Sequence, residues 1–196
     1  MKFTLNACLI LIIVLFGNYS SVAQNVAQTS QGGCTQKISE FPALRGLKLN
    51  MTKSDVMKVY SLASPNRPTD ERGVTTMFVI KDQIVQDEFK RNVKGIAMEL
   101  MDDNLKSMSI MYDDSVKWAA LPKFVESLSG SLDIPAKYWE SNSSGLYATA
   151  TCSDFILTAM LLDNDPSLLI QVKGYREIIK QREKDIEEKK NKSFKP

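Results

Sequence analysis

The stretch Leu44-Arg45-Gly46-Leu47-Lys48-Leu49-Asn50-Met51-Thr52-Lys53-Ser54-Asp55-Val56-Met57-Lys58-Val59-Tyr60 decides how the chain is read. Thr52 is placed to N-cap a helix, accepting from the free backbone N–H groups of the first turn, and Asp55 three residues on is a short version of the capping-box acid. Met51 and Val56 then stand at the two ends of a hydrophobic staple. After the cap, Val56, Val59 or Tyr60, and Ala63 recur at helical spacing, so one face of a helix over 53–63 is apolar and must be covered. Before it, Leu44, Leu47 and Leu49, punctuated by Gly46, read as a short extended segment.

Downstream the pattern changes from helical to alternating. Val74–Lys81 is strand-like; Ile96, Met98 and Leu100 alternate with Ala97, Glu99 and Met101; Asp102-Asp103-Asn104 turns the chain; and Met108, Ile110 and Tyr112 alternate with Ser107, Ser109 and Met111. This predicts an antiparallel meander with Met98, Leu100, Met108 and Ile110 facing the core. A second helix follows, with Pro122 in its first turn and Leu121, Phe124 or Val125, Leu128 and Leu132 as its buried stripe. Strands return at Leu146–Cys152, Phe155–Leu162 and Leu168–Val172, with reversals at Ser153-Asp154 and Asp163–Pro166. The order helix-then-strands thus appears twice, with a boundary near 114, although the two halves share no residue motif. Tyr175–Pro196 is different in kind: Ile178, Ile179 and Ile186 are its aliphatic residues, and acid-then-base pairs recur at i,i+4, which predicts a solvated helix docked at its start. The fold class expected is α+β, with helices packed on an antiparallel sheet and a charged C-terminal helix over 175–196.

Residues 1–23 have the plan of a secretory signal: Lys2, the apolar run Ala7–Phe16, and Ser21-Val22-Ala23 with small residues at the −3 and −1 positions of a cut after Ala23. A mobile leader over 24–33 and a single domain over 34–174 follow. Cys8 would leave with the signal, so Cys34 and Cys152 remain in a chain sent to an oxidising compartment, periplasmic or extracellular, and a disulfide between them is the simplest outcome. The apolar run is too short to span a membrane, and no transmembrane segment is expected in the mature chain.

The words Arg45-Gly46-Leu47-Lys48-Leu49-Asn50-Met51-Thr52-Lys53-Ser54-Asp55-Val56 resemble the Leu-Gly-Met-Thr-x-x-Glu-Val signature of small secreted and periplasmic bacterial proteins, among them outer-membrane-assembly lipoproteins of the SmpA/OmlA type and β-lactamase-inhibitor-like proteins. The resemblance covers about a tenth of the chain. It implies a helix or helix pair packed on a small antiparallel sheet, working by binding another protein. Asn50 stands where the signature has Gly, Asp55 where it has Glu, and Cys34 lacks the lipobox that would make it a lipid-anchored cysteine.

Charge and composition exclude more than they suggest. The 196-residue chain holds 25 basic and 23 acidic residues, so bulk electrostatics do not point to nucleic acid. It contains no histidine, which removes Ser-His-Asp hydrolysis, a His base for a thiol nucleophile, and His-ligated zinc together. No glycine spacing makes a phosphate loop. Asp102-Asp103 and Asp113-Asp114 could serve a carboxylate hydrolase, and Asp163-Asn164-Asp165 resembles the start of a calcium loop, but turns accumulate aspartate anyway. No metal site and no cofactor are expected. Tyr138-Trp139 and Tyr147 could form an aromatic platform, although such residues more often cap a core. The leading expectation is a non-catalytic module that binds a protein through the solvent-facing side of its sheet, where Glu99, Met101, Ser107 and Ser109 would lie. A histidine-free hydrolase and a small-ligand carrier with a cavity between helix and sheet are the alternatives.

Overall fold

Thr52 caps the first helix as its position demands: its Oγ1 accepts from the Asp55 N–H at 3.2 Å and donates to Asp55 Oδ2 at 2.7 Å. The computed structural model describes residues 33–65 and 68–193, so the stretch expected to be a signal and, apart from Gly33, the one expected to be a leader lie outside the described residues. Helix α1, Lys53–Val59, is shorter than the apolar spacing predicts. Tyr60 ends it, because the ring is buried and its hydroxyl donates back to the Arg45 carbonyl at 2.6 Å, and Ser64–Pro65 form strand β1 rather than a mere helix stop.

The remaining strands are β2 (Val74–Ile80), β3 (Val93–Met101), β4 (Asn104–Tyr112), β5 (Trp139–Ser141), β6 (Tyr147–Thr151), β7 (Phe155–Leu162) and β8 (Asp165–Val172). All join one eight-stranded sheet in the order β1-β2-β3-β4-β8-β7-β6-β5, with every pairing antiparallel. Each half runs helix then four strands, and the two halves meet through their last strands. The hairpin turns are two-residue reversals with positive φ at both positions, Asp102-Asp103 (52° and 58°) and Asp163-Asn164 (51° and 66°), the left-handed geometry that matches strand twist and that Asp and Asn tolerate.

One sheet face is covered. Met98, Leu100, Met108 and Ile110 are buried there as their alternation predicts, together with Leu157, Ala159, Leu168 and Ile170. Helix α3, Leu121–Leu132, lays Leu121, Phe124, Val125, Leu128 and Leu132 on this core and stops at Asp133 in the left-handed conformation. The polar segment before β3 holds a helix that periodicity did not reveal, α2 (Asp87–Lys90), whose Phe89 packs on the same core.

The N-terminal segment ties the halves together on that face. Cys34 and Cys152 form a disulfide; Ser153 N–H donates to the Gln36 carbonyl at 3.2 Å, Ile38 N–H to Asp154 Oδ1 at 2.8 Å, and the Phe41 and Phe155 rings lie 4.8 Å apart. Farther along, Asn50 and Lys53 N–H groups donate to the Leu105 and Asp103 carbonyls, both at 2.7 Å. The same short run is therefore fixed to the β6–β7 turn of one half and to the β3–β4 turn of the other.

Helix α4, Tyr175–Ser193, lies over the opposite face at one corner, where Tyr175 and Ile179 cover Val74 and Met101. Beyond that contact it is held by ion pairs: Arg182 with Asp102 (3.0 Å), Glu183 with Arg72 (2.8 Å) and Lys190 with Glu71 (2.7 Å). No helix among the described residues is long and apolar enough to cross a membrane.

The disulfide closes a loop of 118 residues, and the chain-entropy relation puts its effect at about 5 kcal/mol. A Cys34→Ala/Cys152→Ala chain should lose about 4–5 kcal/mol in equilibrium denaturation on that relation. A loss below about 1 kcal/mol would show that the denatured chain gains no freedom from opening the loop.

Candidate functional site

The uncovered face follows from the strand registers. Three rows of side chains cross it: Thr76, Glu99, Ser107, Gln171, Ile156 and Thr151; then Phe78, Ala97, Ser109, Leu169, Thr158 and Thr149; then Ile80, Gly95, Met111, Ser167, Met160 and Tyr147. Among these residues only Glu99 is a carboxylate and none is a cation. The third row is the most open, with Ile80 and Tyr147 both 45% exposed. Gly95 has no room for a side chain, because a Cβ there would come within 2.9 Å of the Phe78 ring; the glycine lets the tip of that ring reach over the neighbouring strand.

Helix α4 decides which part of this face is free. Arg176 Nε donates to Gln171 Oε1 at 3.2 Å, and its Nη2 lies 3.9 Å from Glu99 Oε2. Ser107 sits between those two residues in the same row and is buried beneath them. Burial, and then the neighbouring Glu99 carboxylate, push the Tyr175 phenol well above its ordinary pKa, so it stays neutral. Of the four residues expected on a binding surface, Ser109 lies in the open middle row, Glu99 is half-buried against Arg176, and Met101 and Ser107 are not available. Met101 and Ser107 correct the expectation: they point to the predicted face, but the C-terminal helix returns to cover them. The strand pattern alone carries no sign of that return. The open residues that sequence reasoning did not assign to the binding surface, Phe78, Met111, Leu169 and Met160, are alternation partners of core residues, and strand order is what brings them side by side.

The carboxylate pairs do not converge. Asp102-Asp103 precede β4 and Asp113-Asp114 follow it, so the nine-residue strand separates them by about 30 Å at the usual rise. Asp102 is paired with Arg182. Lys81 Nζ lies 2.5 Å from Asp113 Oδ2, and hydrogen bonds from Lys81 and Ser115 hold the Asp113 carboxyl at about 2. No group of three or more metal-ligating side chains occurs among the described residues. The aromatic platform is not assembled: Trp139 is buried toward the core, whereas Tyr147 lies on the open face.

No protein family matches the chain, and no curated relative does. Among solved structures, a cysteine-rich secretory protein from Staphylococcus aureus aligns over 64% of this chain and 43% of its own, at 9% identity and a TM-score of 0.38. The chain thus spans less than half the length of that protein.

Two outcomes follow from these contacts. Asp113 has a folded pKa below its ordinary value, so the stability it contributes is complete above about pH 5 and is lost as pH falls through about 2. Asp113→Asn should therefore flatten the fall in thermal midpoint between pH 5 and pH 2; an unchanged slope would mean that the Lys81 contact does not persist in solution. Ile179→Ala should release α4 locally: amide exchange over 175–193 rises while β3, β4, β7 and β8 keep their protection. Loss of protection in those strands as well would show that α4 is needed by the whole sheet.

Proposed function

We propose that the chain is an exported, non-catalytic module that binds a protein partner on the open sheet face, over the rows containing Ser109 and Met111. The observation that carries this reading is that the three rows over β2, β3, β4, β8, β7 and β6 hold Glu99 as their sole charged side chain, with Glu140 of β5 at the far end of the middle row. Strand spacing and rise spread the three rows over about 25 by 13 Å between backbone positions, a substantial part of the ~800 Å² that one partner contributes to a standard interface. Desolvating Ser, Thr, Ala and Met costs far less than desolvating a lysine-rich surface, and charge depletion with Met and aromatic enrichment marks interface cores.

The sheet edges favour the face over the rim. Strand β1 has two residues and β5 three, so neither edge offers a long row of free N–H and C=O groups for strand addition. The disulfide supports export, since such bonds persist outside reducing compartments, and the signal-like residues 1–23 support it further. The Arg45–Val56 resemblance also supports the reading, because it implies a helix-on-sheet module that works by binding protein.

The test compares capture from culture medium by the processed protein with capture by Ser109→Lys and Leu169→Lys, each of which puts an ammonium in the middle row. A specific partner retained by the parent should be lost at least tenfold with both variants while their thermal midpoints stay close to the parent's. Equal retention by both would move the binding site off this face.

A further inference from the structure

The covered side of the sheet is not completely filled. Where the two halves meet, Ile110 of β4 and Leu168 of β8 are register partners and form the floor of a cleft of about 690 Å³, well inside the range of small-molecule sites. Phe124, Leu128 and Leu132 of α3 make one wall, and the Leu44–Gly46 turn with Phe89 makes the other. Tyr112 and Trp118 close one end, each with its ring about 6 Å from that of Phe124 (5.9 and 5.8 Å).

Arg45 stands on the rim in an unusual way. It occupies the first central position of a two-residue turn with φ 53°, a conformation that favours Asn, Asp or Gly over a long side chain. The turn cannot shift easily: Tyr60 donates to the Arg45 carbonyl, and at Gly46 a Cβ would approach Phe89 to 2.7 Å. Arg45 Nη1 donates to the Glu88 carbonyl oxygen at 2.9 Å, and the guanidinium enters no ion pair among the described residues. Its Nε–Nη2 edge has no protein acceptor among those residues and has the fork geometry that takes a carboxylate through two parallel bonds. The other charged residue on the rim is Glu88, which is exposed, and the remaining polar groups include Asn92, Ser127 and Ser131.

We infer that this cleft binds a small amphiphilic carboxylate, its apolar body on Ile110 and Leu168 between α3 and Phe89, and its head on the free edge of Arg45. The proposal is independent of the open face, which lies on the other side of the sheet. Calorimetric titration of the processed protein with decanoate, kept below its micelle concentration, tests it against decanol and decyltrimethylammonium. Decanoate should bind saturably with one site per chain, at least tenfold more tightly than either analogue. Arg45→Gln should reduce decanoate to the level of decanol without moving the thermal midpoint, since the side chain makes one hydrogen bond to the rim. Arg45→Lys, which keeps the charge but not the fork, should fall between. Ser127→Trp should block all binding by filling the space. No saturable binding, equal or tighter binding of the cationic analogue, or decanoate affinity unchanged in Arg45→Gln or Ser127→Trp would each overturn the proposal.

Discussion

The structure depends on the pairing of β4 with β8. Five residue pairs, from Ser107 with Gln171 to Met111 with Ser167, join two helix-and-four-strand halves that would otherwise each expose a long free edge. Because the pairing is antiparallel and uses the last strand of each half, the strand order has the symmetry of a two-fold rotation about the sheet normal. Such a rotation keeps both capping helices on the same side, so one face collects the apolar partners and the other collects what is left. The short strands β1 and β5 fall on the two outer edges as a further result of that arrangement.

A seam made by backbone hydrogen bonds needs side chains to lock it, and these are unequal on the two faces. On the covered face Met108 meets Ile170 and Ile110 meets Leu168, all buried. Burying a side chain of this size contributes about 1.5–3 kcal/mol. On the open face the partners are Ser107 with Gln171, Ser109 with Leu169, and Met111 with Ser167, which add little of their own. The N-terminal segment supplies what the seam lacks. It begins at the Cys34–Cys152 bond beside the second half and ends hydrogen-bonded to the β3–β4 turn of the first, so the halves cannot separate without breaking contacts on both.

Local features of this fold were legible because local physics sets them. Alternation placed Met98, Leu100, Met108 and Ile110 inward, the Thr52 cap fixed the start of α1, and paired Asp and Asn marked the reversals. The pairing of Cys34 with Cys152 followed from counting sulfurs. Strand order did not follow, since the β4–β8 contact joins residues about sixty positions apart and no periodicity encodes it. The same is true of Met101 and Ser107: their strand face was legible, but the destination of Tyr175 and Arg176 is a tertiary fact. Helix α2 was hidden because a four-residue helix with one partly buried contact residue, Phe89, leaves no repeat to detect. Arg45 was hidden for a related reason: an arginine beside a glycine reads as a turn, and only its neighbours Tyr60 and Phe89 show that the turn is held rigid.

The two sides of the sheet respond to different forces, and α4 marks the difference. Past Ile179 the helix is held by exposed pairs such as Lys190 with Glu71, whose side chains are both 66% accessible. Pairs of that kind contribute little and weaken as salt rises. The open rows beside it carry almost no charge, so their affinity for an apolar surface is insensitive to moderate salt and is strengthened by excluded salts. Rising ionic strength therefore loosens α4 past Ile179, while its apolar start stays on Met101 and the neutral rows are not weakened. The area of neutral sheet open to a partner is consequently set by the apolar anchor of α4 at Tyr175 and Ile179, while the β4–β8 seam beneath keeps the rows in register.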